Sequence, residues 1–121
     1  MIEADVLRFM NASVASVWEL ELLLLLRRGR DRDWTHDQLV RELRASPSII
    51  GKGLERLQKA GLVVADGALC RYAAAGRHLD ELVDRLDQLY RARPTTVMNA
   101  VLGAPNAKLQ SFADAFRLKK D

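Results

Sequence analysis

Apolar and polar residues alternate at helical spacing in two adjacent segments between residues 35 and 60. The first segment opens with Thr35–Gln38, which has the pattern of a capping box: a Thr side chain and a Gln side chain each accept from a backbone N–H near the start of a helix. Leu39, Val40 and Leu43 then give this helix one apolar side. We therefore predict a short amphipathic helix.

A second helix is predicted directly after the first. Ser46 suits the N-cap position, and Pro47 suits the first helical position, where a missing N–H costs nothing. The apolar residues at helical spacing are Ile50, Leu54 and Leu57. Gly61 is placed where a glycine commonly ends a helix, so the predicted helix covers residues 46–60.

Two short β-strands are predicted after this helix. Leu62–Val64 and Leu69–Tyr72 are rich in residues that favour strands. Asp66-Gly67 lies between them, and this dipeptide is a strong signal for a tight hairpin turn. The hairpin is expected over residues 62–73.

Five consecutive leucines, residues 22–26, form the longest apolar run of the chain. Such a run covers every side of a helix, so we expect this helix to be central in the core. Ser16 and Glu19 form a second capping box, which places the helix from there to about Arg28. Trp18 is expected to pack beside the leucines. The preceding residues 2–12 are compatible with a short helix or an ordered arm.

The C-terminal part carries further amphipathic helices. After Gly76 a long helix is predicted, broken by Pro94, and then a short helix to about Leu102, opened by a threonine cap. The apolar stripe of the long helix consists of Leu79, Leu82, Val83, Leu86 and Leu89. A last helix has Leu109, Phe112 and Phe116 at helical spacing.

Composition fits one domain without disulfides. A chain of 121 residues is long enough to bury a core, and its net charge of +3 permits nucleic-acid binding without demanding it. A single cysteine, Cys70, and the lack of a leader or of a long apolar run predict a soluble, cytoplasmic protein with no membrane partner.

Catalytic and metal chemistry are not expected. His36 and His78 are the only histidines, and neither lies at ligand spacing from Cys70. The chain has no Ser/His/Asp set and no phosphate-binding glycine loop, so we predict no enzymatic activity, no cofactor and no metal site. A redox-sensing cysteine needs an electropositive, exposed setting, for which only the adjacent Arg71 argues.

The two helices and the hairpin together resemble the winged-helix branch of the helix-turn-helix proteins. The resemblance rests on Leu39–Leu43, Ser46–Ile50 and Leu54–Val63. In this region the chain is similar to bacterial transcriptional regulators of the MarR, ArsR and GntR type. It implies a mainly α-helical fold with a small β-hairpin: a winged helix-turn-helix domain over residues 1–75. Residues 76–121 form an appended C-terminal helical extension, packed on this domain or forming an interface.

The resemblance implies that helix 46–60 enters the major groove of double-stranded DNA and that the hairpin 62–73 is the wing. Lys52, Arg56 and Lys59 lie on one helix face, diluted only by Glu55. They are expected to neutralise phosphates or reach bases. The full set of candidate DNA-binding residues is Arg44, Ser46, Ser48, Ile49, Lys52, Arg56, Lys59 and Arg71.

Several of these residues have an alternative role. Ser46 is either a phosphate contact or only a helix cap. Gly51 and Gly53 are expected to remove side chains from the reading face, which favours either close approach of the helix backbone to DNA, with Ile49 on a thymine methyl, or packing against a protein. A basic helix face can also simply be solvated.

Partners other than DNA remain open. The leucine stripe of residues 79–89 is either a homodimer seam or part of the chain's own core. The main alternative function is a protein-interaction adaptor that binds a transcription component through its C-terminal helix with Leu109, Phe112 and Phe116. A third hypothesis is a ligand-responsive regulator with a pocket lined by Trp18, Trp34 and Tyr90, although such aromatics more often form core.

Overall fold

The computed structural model describes residues 2–103, which are mainly helical with one small antiparallel sheet. The coarse fold class predicted from the sequence is therefore confirmed. The elements in chain order are α1 (Ala4–Ser13), α2 (Val17–Arg28), β1 (Trp34–Thr35), α3 (His36–Leu43), α4 (Pro47–Lys59), β2 (Val63–Asp66), β3 (Leu69–Tyr72), α5 (Arg77–Ala92) and α6 (Pro94–Leu102).

The predicted starts of α3 and α4 are confirmed by their caps. The hydroxyl of Thr35 accepts from the N–H of Gln38 at 3.1 Å, and the Gln38 side chain accepts from the N–H of Thr35 at 2.9 Å. The Ser46 hydroxyl accepts from the N–H of Ile49 at 3.2 Å, with Pro47 as the first helical residue. These bonds satisfy donors that a helix start otherwise leaves without partners.

The start of α2 differs from a simple capping box. Ser16 caps the helix as predicted, accepting from the N–H of Glu19 at 3.2 Å. The carboxylate of Glu19, however, accepts from the N–H of Ala15 at 2.9 Å, one residue before the cap. Glu19 is consequently held at the base of α2, where it faces α4.

Three strands form the sheet, with β3 between β1 and β2. The hairpin is confirmed, but its loop is Gly67-Ala68, since Asp66 pairs with Leu69. Gly67 has a φ of 64° and Ala68 does not have positive φ, as in a type II′ turn. The β1 strand was not predicted, because two residues show no alternation.

The leucine-rich helix α2 is central, as predicted. Leu20, Leu22, Leu23, Leu24 and Leu26 are all buried. The expectation that Trp18 packs beside them is wrong, because this side chain is 42% exposed. It lies on the same side of α2 as Leu25, seven residues later, which is itself only half-buried against the core.

Helices α5 and α6 belong to the same hydrophobic core as α2. The leucine stripe of α5 packs within the chain: Leu82, Val83 and Leu86 are buried, and α5 lies against α1 and α6. α6 ends at Leu102 as expected, but it begins with Pro94 itself and has no threonine cap. Leu109, Phe112 and Phe116 lie outside the described residues, and the division at residue 75 stays a prediction.

Candidate nucleic-acid interface

Helix α4 has one side in the core and one side in solvent. Ile50, Gly53 and Leu57 are buried, whereas Ser48 and Lys52 are exposed. The sequence placed Gly53 on the solvent side, and this is wrong: a Cβ at Gly53 would lie 2.9 Å from a methyl carbon of Leu22. Gly53 therefore allows α4 to approach α2 closely.

Gly51 has different surroundings. It is half-buried, and a Cβ there would lie 3.6 Å from Nε2 of His36, which is ordinary van der Waals contact. Unlike Gly53, this position has room for a methyl group. Packing within residues 2–103 does not explain this glycine, so both hypotheses for Gly51 stay open.

The structure brings three predicted cations together. Lys52, Arg56 and Lys59 line one shallow depression with Glu55. Lys52 and Lys59 are exposed, and neither forms an ion pair with any residue of the described part of the chain. They are also the only two lysines between residues 2 and 103.

Arg56 differs from the two lysines because it is already paired. Its Nε lies 3.1 Å from both carboxylate oxygens of Glu19. The Arg56 side chain is half exposed, whereas that of Glu19 is 10% exposed. Sequence reasoning did not identify this pairing, because Glu19 was interpreted only as a capping residue.

The start of α4 presents the remaining helix candidates. Ile49 is 37% exposed and Ser48 is exposed, so both are accessible to a ligand. Ser46 acts as the helix cap, and its possible contact with phosphate stays a prediction. Arg44, in the turn before α4, is exposed and has a left-handed backbone with φ 54° and ψ 41°.

The hairpin does not place Arg71 with the lysines in one cluster. Arg71 lies on β3, with its Nε 3.8 Å from a carboxylate oxygen of Asp33, and both side chains are about half exposed. The loop itself carries only Gly67 and Ala68, next to Asp66. The tip of the hairpin is therefore not cationic.

A second charged region, which the sequence did not reveal, joins α2 to α5. The buried Arg27 lies 3.4 Å from carboxylate oxygens of both Asp80 and Asp84, and Arg28 donates to Asp87 at 2.6 Å. Of the three aspartates, Asp87 is buried, whereas the side chains of Asp80 and Asp84 are about half exposed.

The protonation equilibria of this region follow from its contacts. The hydroxyl of Tyr72 donates to Asp80 at 2.6 Å, and together with Arg27 it lowers the pKa of this carboxyl despite burial. Burial raises the pKa of Asp87, but hydrogen bonds and charge from Arg28 and Arg91 outweigh it, so the net shift is downward. Burial is the main reason why the pKa of Tyr72 is raised. The contacts of this region therefore join α2 to α5 and favour the ionised form of both carboxyl groups.

The other candidate chemistries find little support. Cys70 is buried, and burial raises the pKa of its thiol, which is opposite to what a redox sensor needs. Among residues 2–103 no group of His, Cys, Asp or Glu side chains converges to hold a metal ion.

The three aromatics of the ligand-pocket hypothesis lie in separate environments. Trp18 is exposed, whereas Trp34 is buried, as expected, and donates from Nε1 to the carbonyl of Gly29 at 3.2 Å. The hydroxyl of Tyr90 donates to Glu21, which raises the pKa of Tyr90 to about 12. No common use of these side chains is evident from their contacts.

Comparison with protein-family models, with curated proteins and with solved structures finds no match for this chain. Within the part that the structure describes, no single helix is long and apolar enough to cross a membrane. The α1 and α2 helices meet that criterion only as a pair bent by 105°.

Proposed function

We propose that this chain is a sequence-specific DNA-binding protein of the winged helix-turn-helix class, a transcriptional regulator of the bacterial type. The order of elements supports the class: α2, β1, α3, α4 and the β2–β3 hairpin follow one another as helix, strand, two helices and wing. In such proteins the second helix of the pair enters the major groove, and here that helix is α4.

The observation that carries the proposal is the position of Lys52 and Lys59. Both ammonium groups are on the exposed side of α4 and have no carboxylate partner in the described chain. Unpaired cations on an exposed helix are suited to replace the counterions of DNA phosphates. Ser48 and Ile49, one turn earlier, are placed to meet base edges, with Ile49 against a thymine methyl.

The test compares two double charge reversals by fluorescence anisotropy with a labelled random-sequence duplex. Lys52→Glu plus Lys59→Glu is expected to weaken binding at least about 50-fold at about 0.1 M salt, since each lost phosphate contact makes the negative slope of log K against log salt shallower by about 0.9. Arg8→Glu plus Arg93→Glu is the control, because it makes the same change in net charge on α1 and before α6.

The control variant is expected to keep most of the affinity, and both variants are expected to keep the circular dichroism of the wild type. Equal losses in the two variants would mean that only net charge matters and that α4 is not the interface. Affinity of the wild type that does not vary with salt would contradict the electrostatic mechanism. Selection of bound genomic fragments then gives the motif, and a palindrome indicates a dimer.

A protein-interaction adaptor is the second candidate. Trp18, Val64 and Leu69 are large apolar side chains that are each at least 40% exposed, which favours contact with a protein. Removal of residues beyond Pro105 tests the part of this candidate that involves Leu109, Phe112 and Phe116. An adaptor loses its partner on truncation, whereas a truncated chain that retains every partner excludes that role for the C-terminal residues.

A further inference from the structure

Glu19 lies beneath the cationic side of α4 and is not a free surface carboxylate. Its side chain is mostly buried, and its Cγ lies 3.5 Å from the position of a Cβ on Gly53. One oxygen accepts from the N–H of Ala15. Glu19 therefore lies between α2 and α4, beside Gly53.

Arg56 is the cation that this carboxylate holds. Both oxygens of Glu19 lie 3.1 Å from Nε of Arg56, in a setting that is only partly hydrated. A charged group that loses its partner while buried is costly, so a phosphate that draws Arg56 away from Glu19 leaves a mostly buried carboxylate without its cation. Lys52 and Lys59 carry no such cost.

We infer that Glu19 withholds Arg56 from DNA, so that Arg56 braces α4 on α2 while Lys52 and Lys59 make the phosphate contacts. This inference rests on the proposed DNA-binding function and limits the number of cations that act in it. Glu19 is then a positioning residue that reduces affinity for any DNA sequence. Because a withheld phosphate contact weakens specific and non-specific binding alike, the ratio of the two is left to the base contacts.

The test is a double-mutant cycle read as the slope of log K against log salt, with the same random-sequence duplex. Arg56→Met keeps the aliphatic length and removes the charge, and it is expected to leave the slope unchanged. Glu19→Gln keeps an acceptor for the N–H of Ala15 and releases Arg56. It is expected to steepen the slope by about 0.9 and to tighten binding about 8-fold at about 0.1 M salt.

The double variant separates release of Arg56 from a general effect of the lost negative charge. Glu19→Gln plus Arg56→Met is expected to return to the wild-type slope. A gain in affinity that persists in the double variant would overturn the inference. A slope that becomes shallower when Arg56 alone is replaced would also overturn it. An unchanged slope in Glu19→Gln would do the same.

A measurement on the wild type avoids the question whether the variants fold. The Nε–Hε NMR resonance of Arg56 is expected to keep its position when duplex is added, whereas a large shift would contradict the retention of the pair. Failure of the proposed function looks different: the wild type then shows no salt-dependent binding at all, and the inference falls with it.

Discussion

The solvent side of α4 and the contact between α2 and α5 are both rich in charge, but they use it in opposite ways. On α4, Lys52 and Lys59 are exposed and have no partner within the described residues. Between α2 and α5, Arg27 is buried and reaches three aspartates, and its guanidinium lies 5.9 Å from the centre of the Tyr72 ring. Charge is thus available for a ligand in the first region and used for packing in the second.

This difference shows why the net charge of +3 says little about function. Several arginines are balanced by aspartates or glutamates within the fold, as Arg27, Arg28, Arg56 and Arg71 illustrate. Lysines are compact, strongly hydrated charges, whereas arginines are favoured in buried ion pairs. The chain follows this division between α4 and the α2–α5 contact.

Removal of the buried cation Arg27 should give the largest loss of stability. A small loss would contradict the view that charge between α2 and α5 is used for packing. Arg27→Met removes the buried cation, but the carboxylates of Asp80 and Asp84 that it leaves behind are about half exposed, so we expect a loss of about 2 kcal/mol in the free energy of unfolding. Arg91→Met is the control, because Arg91 is 64% exposed and forms an i,i+4 pair with Asp87. We expect this control to lose about 0.5 kcal/mol or less in urea unfolding.

The pH dependence of unfolding should show whether the loss of stability in Arg27→Met is electrostatic. The pKa of Asp80 is lowered in the folded state by the Tyr72 hydroxyl and by Arg27. As pH falls, Asp80 takes up a proton in the unfolded chain before it does so in the folded chain. The stabilisation from its ionised form is therefore complete above the ordinary pKa of 3.8 and is lost as pH falls through the lowered pKa of the folded state. The gap between wild type and Arg27→Met should therefore narrow below about pH 4. A gap that stays constant from neutral pH to pH 3 would assign the loss to packing alone.

The two glycines of α4 give a smaller effect and compare its two sides directly. Gly51→Ala is expected to stabilise by up to about 1 kcal/mol, since the helix gains propensity and His36 leaves room. Gly53→Ala is expected to destabilise by about 1 kcal/mol, because overpacking against the buried Leu22 exceeds the same gain.

Urea unfolding of both glycine variants measures the sign of each change. Equal gains in the two variants would show that Leu22 moves aside and that Gly53 is not needed for close packing. DNA affinity adds information on Gly51: a loss in Gly51→Ala, with stability increased, favours close approach of the backbone to DNA. Unchanged affinity favours the view that this glycine has no part in DNA binding.

Much of the fold was predictable because its signals are local. The caps at Thr35 and Ser46 and the glycine at position 67 each act within a few residues, and all three are observed. The leucine run predicted a central helix for the same reason: no orientation of such a helix exposes only polar residues.

The remainder depends on contacts between residues far apart in the sequence. Glu19 and Arg56 are separated by 37 positions, and Arg27 and Asp80 by 53. No periodicity links such pairs, so Arg56 was grouped with the lysines and its pairing with Glu19 was not predicted. Gly53 was misplaced because a glycine gives no hydropathy signal for the side of a helix it faces.

The smallest effect concerns Arg44, which combines an exposed charge with a strained backbone. A left-handed conformation costs most L-residues about 1 kcal/mol or more, and glycine adopts it freely. Arg44→Gly should therefore raise the free energy of unfolding by up to about 1 kcal/mol, less the entropy that glycine adds to the unfolded chain.

If Arg44 contacts phosphate, the same variant flattens the slope of log K against log salt by about 0.9. Arg44→Lys is the matched control, since it retains the charge and the strain and should keep the slope. Greater stability with weaker binding would place Arg44 with Lys52 and Lys59 as a charge kept for a ligand. An unchanged slope would remove Arg44 from the interface and leave its strained backbone without a function in DNA binding.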